Sequence, residues 1–287
     1  MNYYHVDVFS NKPYSGNGLT VFTDAKDFDK AFMQTLTQEI RQFESIFLHR
    51  LDGNIFRASI FTMEEELDFA GHPIIGAAAV LHDKYSPGKK ENNWIFQLNN
   101  KTVSVSTIKQ ETCYSASMNQ GKAGFTTTLS KEQQALFLGY LNLQAEDAYG
   151  QLPFQVVSTG LPYLILPVKE SALSRVKVAI SDLEEKLVAI GAKFFYVLSI
   201  ESLQGRTWDN VGMVEDIATG SAAGPVGAYL VANDLAKKDT GIILHQGAFL
   251  NRPSRIRILL TNSGDIFVEG DVCKIATGEL LNNNCYL

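Results

Sequence analysis

Two stretches of this chain leave a helix no polar face. Gly71-His72-Pro73-Ile74-Ile75-Gly76-Ala77-Ala78-Ala79-Val80-Leu81 and Gly220-Ser221-Ala222-Ala223-Gly224-Pro225-Val226-Gly227-Ala228-Tyr229-Leu230 are small or apolar at almost every position beyond their second residue. A helix that is apolar all round has to be enclosed. Both runs fall well short of the ~20 residues that cross a bilayer. Protein must therefore do the enclosing, and the short alternating stretches around each run supply strands for it. A chain with two such helices needs two wrapped cores.

The two runs also match in register. Setting Gly71 on Gly220, an offset of 149 residues, brings His72 onto Ser221, Ala79 onto Ala228 and Leu81 onto Leu230. The same shift pairs Val8 with Val157, Pro13 with Pro162, Tyr14 with Tyr163 and Arg57 with Arg206. One offset that holds in three regions reads as an ancient duplication. The expected halves are residues 1–119 and 128–275, joined by a Gly/Thr-rich linker over 120–127, with the tail from about 276 to 287 crossing back to the first half.

Each buried run is entered through a polar corner. The second opens with Glu215-Asp216 and turns at Thr219-Gly220-Ser221; the first opens with Asp68-Phe69-Ala70-Gly71-His72. Glycine lets backbone bend and approach a ligand, and a helix start leaves N–H groups free to attract an anion such as a carboxylate. Asp216 is placed at the rim of such a pocket. Ser221 either caps the helix or contacts the ligand, and His72, beside a glycine and a proline, reads first as a helix cap. Pro225 lies too deep for a harmless proline, so the regular second helix is expected to begin nearer Gly224.

The remaining organisation follows from periodicity. Strands are expected at Tyr3–Phe9, Leu19–Phe22, from Ile46 and over Ile55–Met63, with an amphipathic helix across Asp27–Arg41. Glu44 falls at that helix-to-strand junction, where a glutamate is ordinarily solvated. Ser130 with Gln133 forms a capping box, and Ser181–Ile190 reads as a helix stopped by Gly191.

Composition narrows the function classes. The formal net charge of −6 argues against a nucleic-acid partner. No window reaches membrane-span length and the N-terminus has no signal-peptide pattern, so a cytoplasmic protein is expected. Cys113, Cys273 and Cys285 are odd in number and far apart, which fits neither a disulfide framework nor a zinc site. Asp68 and His72 lack a third ligand at matching spacing, so no metal is expected. The Thr219-Gly220…Gly224…Gly227 spacing approaches a dinucleotide fingerprint, but Val214-Glu215-Asp216 is not the apolar strand that should precede one. Ser221 has no nucleophile-elbow context.

The sequence resembles the PhzF-like (phenazine biosynthesis-like) family over essentially its whole length. The matching residues are Val6-Asp7-Val8-Phe9 with Ser15-Gly16-Asn17, Glu44-Ser45, Asp68 to Pro73, Ser158-Thr159-Gly160, Glu215-Asp216 with Ala218 to Ala222, and Gln246-Gly247 with Arg252-Pro253-Ser254. The resemblance implies an α+β, diaminopimelate epimerase-like fold: two pseudo-symmetric domains, each a curved, mostly antiparallel sheet around a central helix, with the site between them. It implies a cofactor-independent isomerase, similar to trans-2,3-dihydro-3-hydroxyanthranilate isomerase, acting on a small carboxylate-bearing substrate. Glu44 would be the acid/base that shuttles a proton, His72 and Asp216 its helpers, and Ser221 a substrate contact. Asn17, Ser45, Gly71, Thr219 and Gly220 would complete the substrate-binding set, and a homodimer would be usual. The alternative is a small-molecule binding protein of the same fold without catalysis. Gly18 and Ile217 stand where the family usually has proline, and Asn251 where it has glycine.

Overall fold

The computed structural model of the chain describes residues 1–281. In chain order the elements are β1 (Asn2–Val8), β2 (Asn17–Phe22), α1 (Lys30–Ile40), β3 (Glu44–Asp52), β4 (Ile55–Phe61), β5 (Glu66–Leu67), α2 (Gly71–Tyr85), β6 (Glu91–Gln97), β7 (Thr102–Lys109) and β8 (Tyr114–Gly121). There follow β9 (Gly124–Thr128), α3 (Lys131–Tyr140), β10 (Gln155–Ser158), β11 (Pro162–Val168), α4 (Leu183–Ala189), β12 (Phe194–Ser199), β13 (Gly205–Arg206), α5 (Gly220–Ala232), β14 (Ile242–Gln246), β15 (Ser254–Leu260) and β16 (Ile266–Glu279). They fall into two compact units, Met1–Asn119 with the residues from Glu269 on, and Gln120–Val268.

In the first unit the strands pair in the order β1-β2-β3-β4-β6-β7-β8-β16, and β16 pairs again with β1, so the sheet closes on itself. The closed ring encloses α2, whose residues Gly71 to His82 are all buried. Gly76 permits the close approach: a Cβ there would lie 2.5 Å from Leu19 Cδ2 on β2 and 2.9 Å from Val8 Cγ2 on β1. The outer face of β2 and β3 is covered by α1, with Phe22, Phe47, Phe61 and Leu36 in one cluster. That helix is shorter than its apolar stripe suggests. Asp29 caps it through Phe32 N–H, and Arg41 ends it in the left-handed region at φ 57°. Residues 276–279 of the expected returning tail belong to β16, where Ala276 faces His5 and Glu279 faces Asn2. Leu280 follows it, its N–H donating to Met1 C=O at 2.8 Å, and residues 282–287 of that tail lie outside the described residues.

The second unit holds a five-stranded sheet, β13-β12-β11-β10-β9, and the β14–β15 hairpin, joined by a bridge between Gln204 and His245. Its central helix α5 packs on β15, β10 and β11. Gly227 allows this contact, since a Cβ would lie 2.5 Å from Ile258 Cγ2. A second core of Leu, Val and Phe side chains fills the space under α3 and α4. The Ser130–Gln133 capping box starts α3 as expected.

Two expectations fail here. The segment 120–127 is not a linker: β9 begins at Gly124 and pairs with β10, because Phe125 and Thr128 complete the sheet edge opposite Val157 and Gln155. The second buried helix starts at Gly220, with Pro225 inside it. Proline removes the bond that Ser221 C=O would accept from residue 225. Neighbouring backbone is braced instead by Gln120, whose Nε2 donates to Gly220 C=O at 2.9 Å. Gly224 leaves room for that side chain, because a Cβ there would run into Gln120 Oε1.

Both units use one scheme. An antiparallel hairpin (β1–β2, β10–β11) is followed by a helix and a parallel neighbour (β3, β12), an antiparallel return (β4, β13) and the central helix. The offset of 149 is structural at the helix starts, Gly71 and Gly220, but it fails inside the hairpins. Pro13 and Tyr14 lie in the long β1–β2 loop, with Tyr14 74% exposed, whereas Pro162 and Tyr163 lie in β11, with Tyr163 only 3% exposed. Hairpin loops of different length cannot preserve one shift.

Candidate functional site

In the first unit Glu44 is the first residue of β3 and His72 the second of α2, and they meet: His72 Nδ1 lies 3.4 Å from Glu44 Oε2. Both are buried, at 6% and 3% exposure. Parallel pairing of Glu44 with Leu19, which packs on α2, turns the carboxylate towards the helix start. Burial pulls the pKa of His72 down to about 3, so the ring is neutral near pH 7. The contact is therefore one between a carboxyl group and a neutral imidazole. At 3.4 Å it is longer than a well-made hydrogen bond, and such contacts tighten on ligand binding in many active sites. His72 Nε2 is buried and has no hydrogen-bond partner among the described residues.

His72 is not a helix cap. The cap position is Ala70, which has no side chain to offer, so no side chain caps the first turn of α2 at Gly71. Asn17 opens β2, buried, on the same face as Leu19. Ser45 is different: alternation along β3 puts it with Phe47, which stacks on Phe22 beneath α1, so its side chain points away from that of Glu44. Ser45 Oγ and Thr20 Oγ1 are buried without hydrogen-bond partners among the described residues.

The second unit gathers Asp216, Thr219, Gly220 and Ser221 in one corner. Thr219 caps α5 by position but not by its side chain. Its Oγ1 donates instead to Asp216 Oδ2 at 2.6 Å, while Ala218 N–H reaches Asp216 Oδ1 at 3.3 Å. Glu215, next to it, is committed elsewhere. Arg206 holds both its oxygens at 2.7 Å and lies over the rings of Trp208 and Phe249. The paired carboxylates of the sequence thus separate: Glu215 is held by Arg206, and Asp216 is held at the start of α5 by Thr219 and Ala218.

Sequence reasoning gave no role to the groups that hold this corner. Gln246, 1% exposed, uses its whole amide: Oε1 accepts from Tyr196 OH and Thr219 N–H, and Nε2 donates to Asp216 C=O and Thr219 Oγ1. Tyr163 OH lies 2.7 Å from Ser221 Oγ. The Tyr196 phenol is pushed well above its ordinary range by burial and by the nearby Asp216 and Tyr163. The signals were faint: Gln246-Gly247 stood among the family-like motifs, and Tyr163 matched Tyr14 by offset. Gly247 itself sits at φ 80°, with Ile217 O only 2.7 Å from where a Cβ would be. Two of the three departures from the family pattern are accommodated locally. Asn251 occupies the left-handed region at φ 56°, which asparagine tolerates better than most residues, and the space beside Gly18 is filled by Gln42. Among the described residues no group of three or more His, Cys, Asp or Glu side chains could hold a metal ion.

Comparison with known proteins gives the family. The family model for phenazine biosynthesis-like proteins matches residues 6–273. The chain belongs to the phenazine biosynthesis-like family. Within it, the uncharacterised isomerase YddE of Escherichia coli (strain K12) is 31% identical over 271 residues, covering 90% of this chain and 89% of that protein. The trans-2,3-dihydro-3-hydroxyanthranilate isomerase of Pseudomonas fluorescens is 28% identical over 263 residues, covering 88% of each chain. A solved structure described as a predicted epimerase of Pseudomonas aeruginosa superposes with a TM-score of 0.94 at 48% identity, covering 98% of this chain and 99% of that one. A probable proline racemase of Agrobacterium radiobacter, 9% identical with a TM-score of 0.64 over 99% of this chain and 94% of that one, shares the fold alone. The phenazine biosynthesis-like chain thus has the expected α+β, epimerase-like fold, and it is an isomerase. Among its described residues no helix is long and apolar enough to cross a membrane.

Proposed function

We propose that this isomerase moves a proton between two carbons of a small carboxylate-bearing substrate, with Glu44 as the acid/base. The observation that carries the reading is the buried contact between Glu44 and the neutral ring of His72. A carboxylate held out of water is suited to proton transfer near neutral pH. It takes a proton from one carbon, leaves negative charge delocalised on the substrate, and returns the proton to another, so the balance closes without a redox partner. His72 holds Glu44 and meets the substrate through Nε2. In the first unit Asn17 and Gly71 serve this corner, while Ser45 turns its side chain away from it; in the second unit Asp216, Thr219, Gly220 and Ser221 form a corner suited to an acidic group. First-turn N–H groups of α2 and α5 suit a substrate carboxylate.

The relative from Pseudomonas fluorescens points to the substrate class, a cyclic amino acid resembling trans-2,3-dihydro-3-hydroxyanthranilate. The reading needs no metal or organic cofactor. The buried Cys113 and Cys273, neither of them in a disulfide, suit a reducing cytoplasm, and family resemblance favours a homodimer. The test is Glu44→Gln with that compound and related cyclic acids in deuterated water. Turnover and deuterium incorporation should fall by about 10²–10⁴-fold, the usual share of acid/base catalysis, with binding retained. Undiminished exchange in the variant rejects Glu44.

A further inference from the structure

Tyr163 is the second residue of β11, and its ring is fixed by tilted packing on Phe194 with centroids 5.5 Å apart. Its backbone is held by pairing with Val157 on one side and Phe194 on the other. The phenol therefore points where a rigid strand sends it. There it meets Ser221 Oγ at 2.7 Å, the commonest O–H···O separation.

Ser221 is the second residue of α5 and only half-buried. A serine hydroxyl in that setting has three rotamers and one proton to place. The contact with Tyr163 fixes the rotamer and consumes one hydrogen-bonding direction, leaving the others for a ligand. A carboxylate or developing oxyanion can only accept, so it takes the serine proton, and Tyr163 then donates to Ser221.

We propose that Tyr163 is a positioning residue for the isomerase reaction, pinning Ser221 Oγ so that its proton is directed at the acidic group of the substrate. The proposal rests on the reading of Ser221 as a substrate contact. It concerns binding more than proton transfer, so it acts on KM.

The experiment is a double-mutant cycle of Tyr163→Phe, Ser221→Ala and their combination, with trans-2,3-dihydro-3-hydroxyanthranilate as probe, together with the crystal structure of Tyr163→Phe. Phenylalanine keeps the ring and its packing, so the fold is preserved. Tyr163→Phe should raise KM about tenfold, with kcat changed far less, and should have no further effect once Ser221 is alanine. In the crystal, Ser221 should spread over more than one rotamer, a readout that does not depend on turnover. Equal losses in both backgrounds, or an unmoved Ser221 rotamer in Tyr163→Phe, would overturn the proposal. Ser221→Ala at full activity would instead remove the reading on which it stands.

Discussion

Replacing Gln246 by leucine tests how the second corner is held. Leucine roughly matches the volume but abolishes four hydrogen bonds, at 2.8, 2.9, 3.0 and 3.1 Å. Thr219 Oγ1 keeps its bond to Asp216, so the damage falls on Tyr196 OH and Thr219 N–H, both buried. A stranded buried donor costs about 1–3 kcal/mol, and the added apolar surface returns about 1 kcal/mol. The expected net loss is about 3 kcal/mol. Tyr196→Phe alone should cost about 1 kcal/mol, because Gln246 Oε1 retains Thr219 N–H. In the double variant the stranded phenol no longer exists, so the combined loss should fall short of the sum by about 1 kcal/mol or more. Equilibrium urea unfolding of the four proteins, followed by circular dichroism, measures all three terms. Strict additivity, or a Gln246→Leu loss under about 1 kcal/mol, would show that the amide is not what braces this corner.

Two further outcomes follow from the first unit. Burial holds the pKa of His72 at about 3 in the folded protein, below the ordinary 6.5 of histidine, so the unfolded chain takes a proton that the native one refuses, and stability is lost as pH falls from 6.5 towards 3. Between pH 7 and pH 4.5 the wild type should lose about 3 kcal/mol more than His72→Gln by urea unfolding; parallel losses would mean that the ring is protonated in the native state. Gly76→Ala should overpack α2 against Leu19 and Val8 and cost about 1–3 kcal/mol, seen as a lower urea midpoint, and an unchanged midpoint would contradict the close approach of helix and sheet.

Much of the fold was legible because burial leaves a periodic trace. The all-apolar runs after Gly71 and Gly220 announced α2 and α5, the apolar stripe over Asp27–Arg41 announced the helix that Asp29 caps, and the Ser130–Gln133 capping box announced α3. The misreadings share a cause. Gln120–Thr127 looked like a linker because glycine and threonine say nothing about a sheet edge waiting across the chain. Pro225 looked like a helix breaker because nothing local reveals Gln120 beside Gly220. Of the candidate site, the glycine corners and the acid and base residue types could be read. The assignment of Glu215 to Arg206, the outward turn of Ser45 and the grip of Tyr163 on Ser221 could not.

The amino-acid order alone determined that two helices had to be swallowed by strands, since no polar face was available to meet water. Tertiary structure alone decided which polar groups stand beside one another: Glu44 meets a histidine 28 positions away in sequence, and Gln246 closes on Asp216 across 30. Solvent exclusion acts on each residue separately and so is written locally. Hydrogen bonds and proton affinity depend on a second group, whose arrival is settled only when the whole chain has packed.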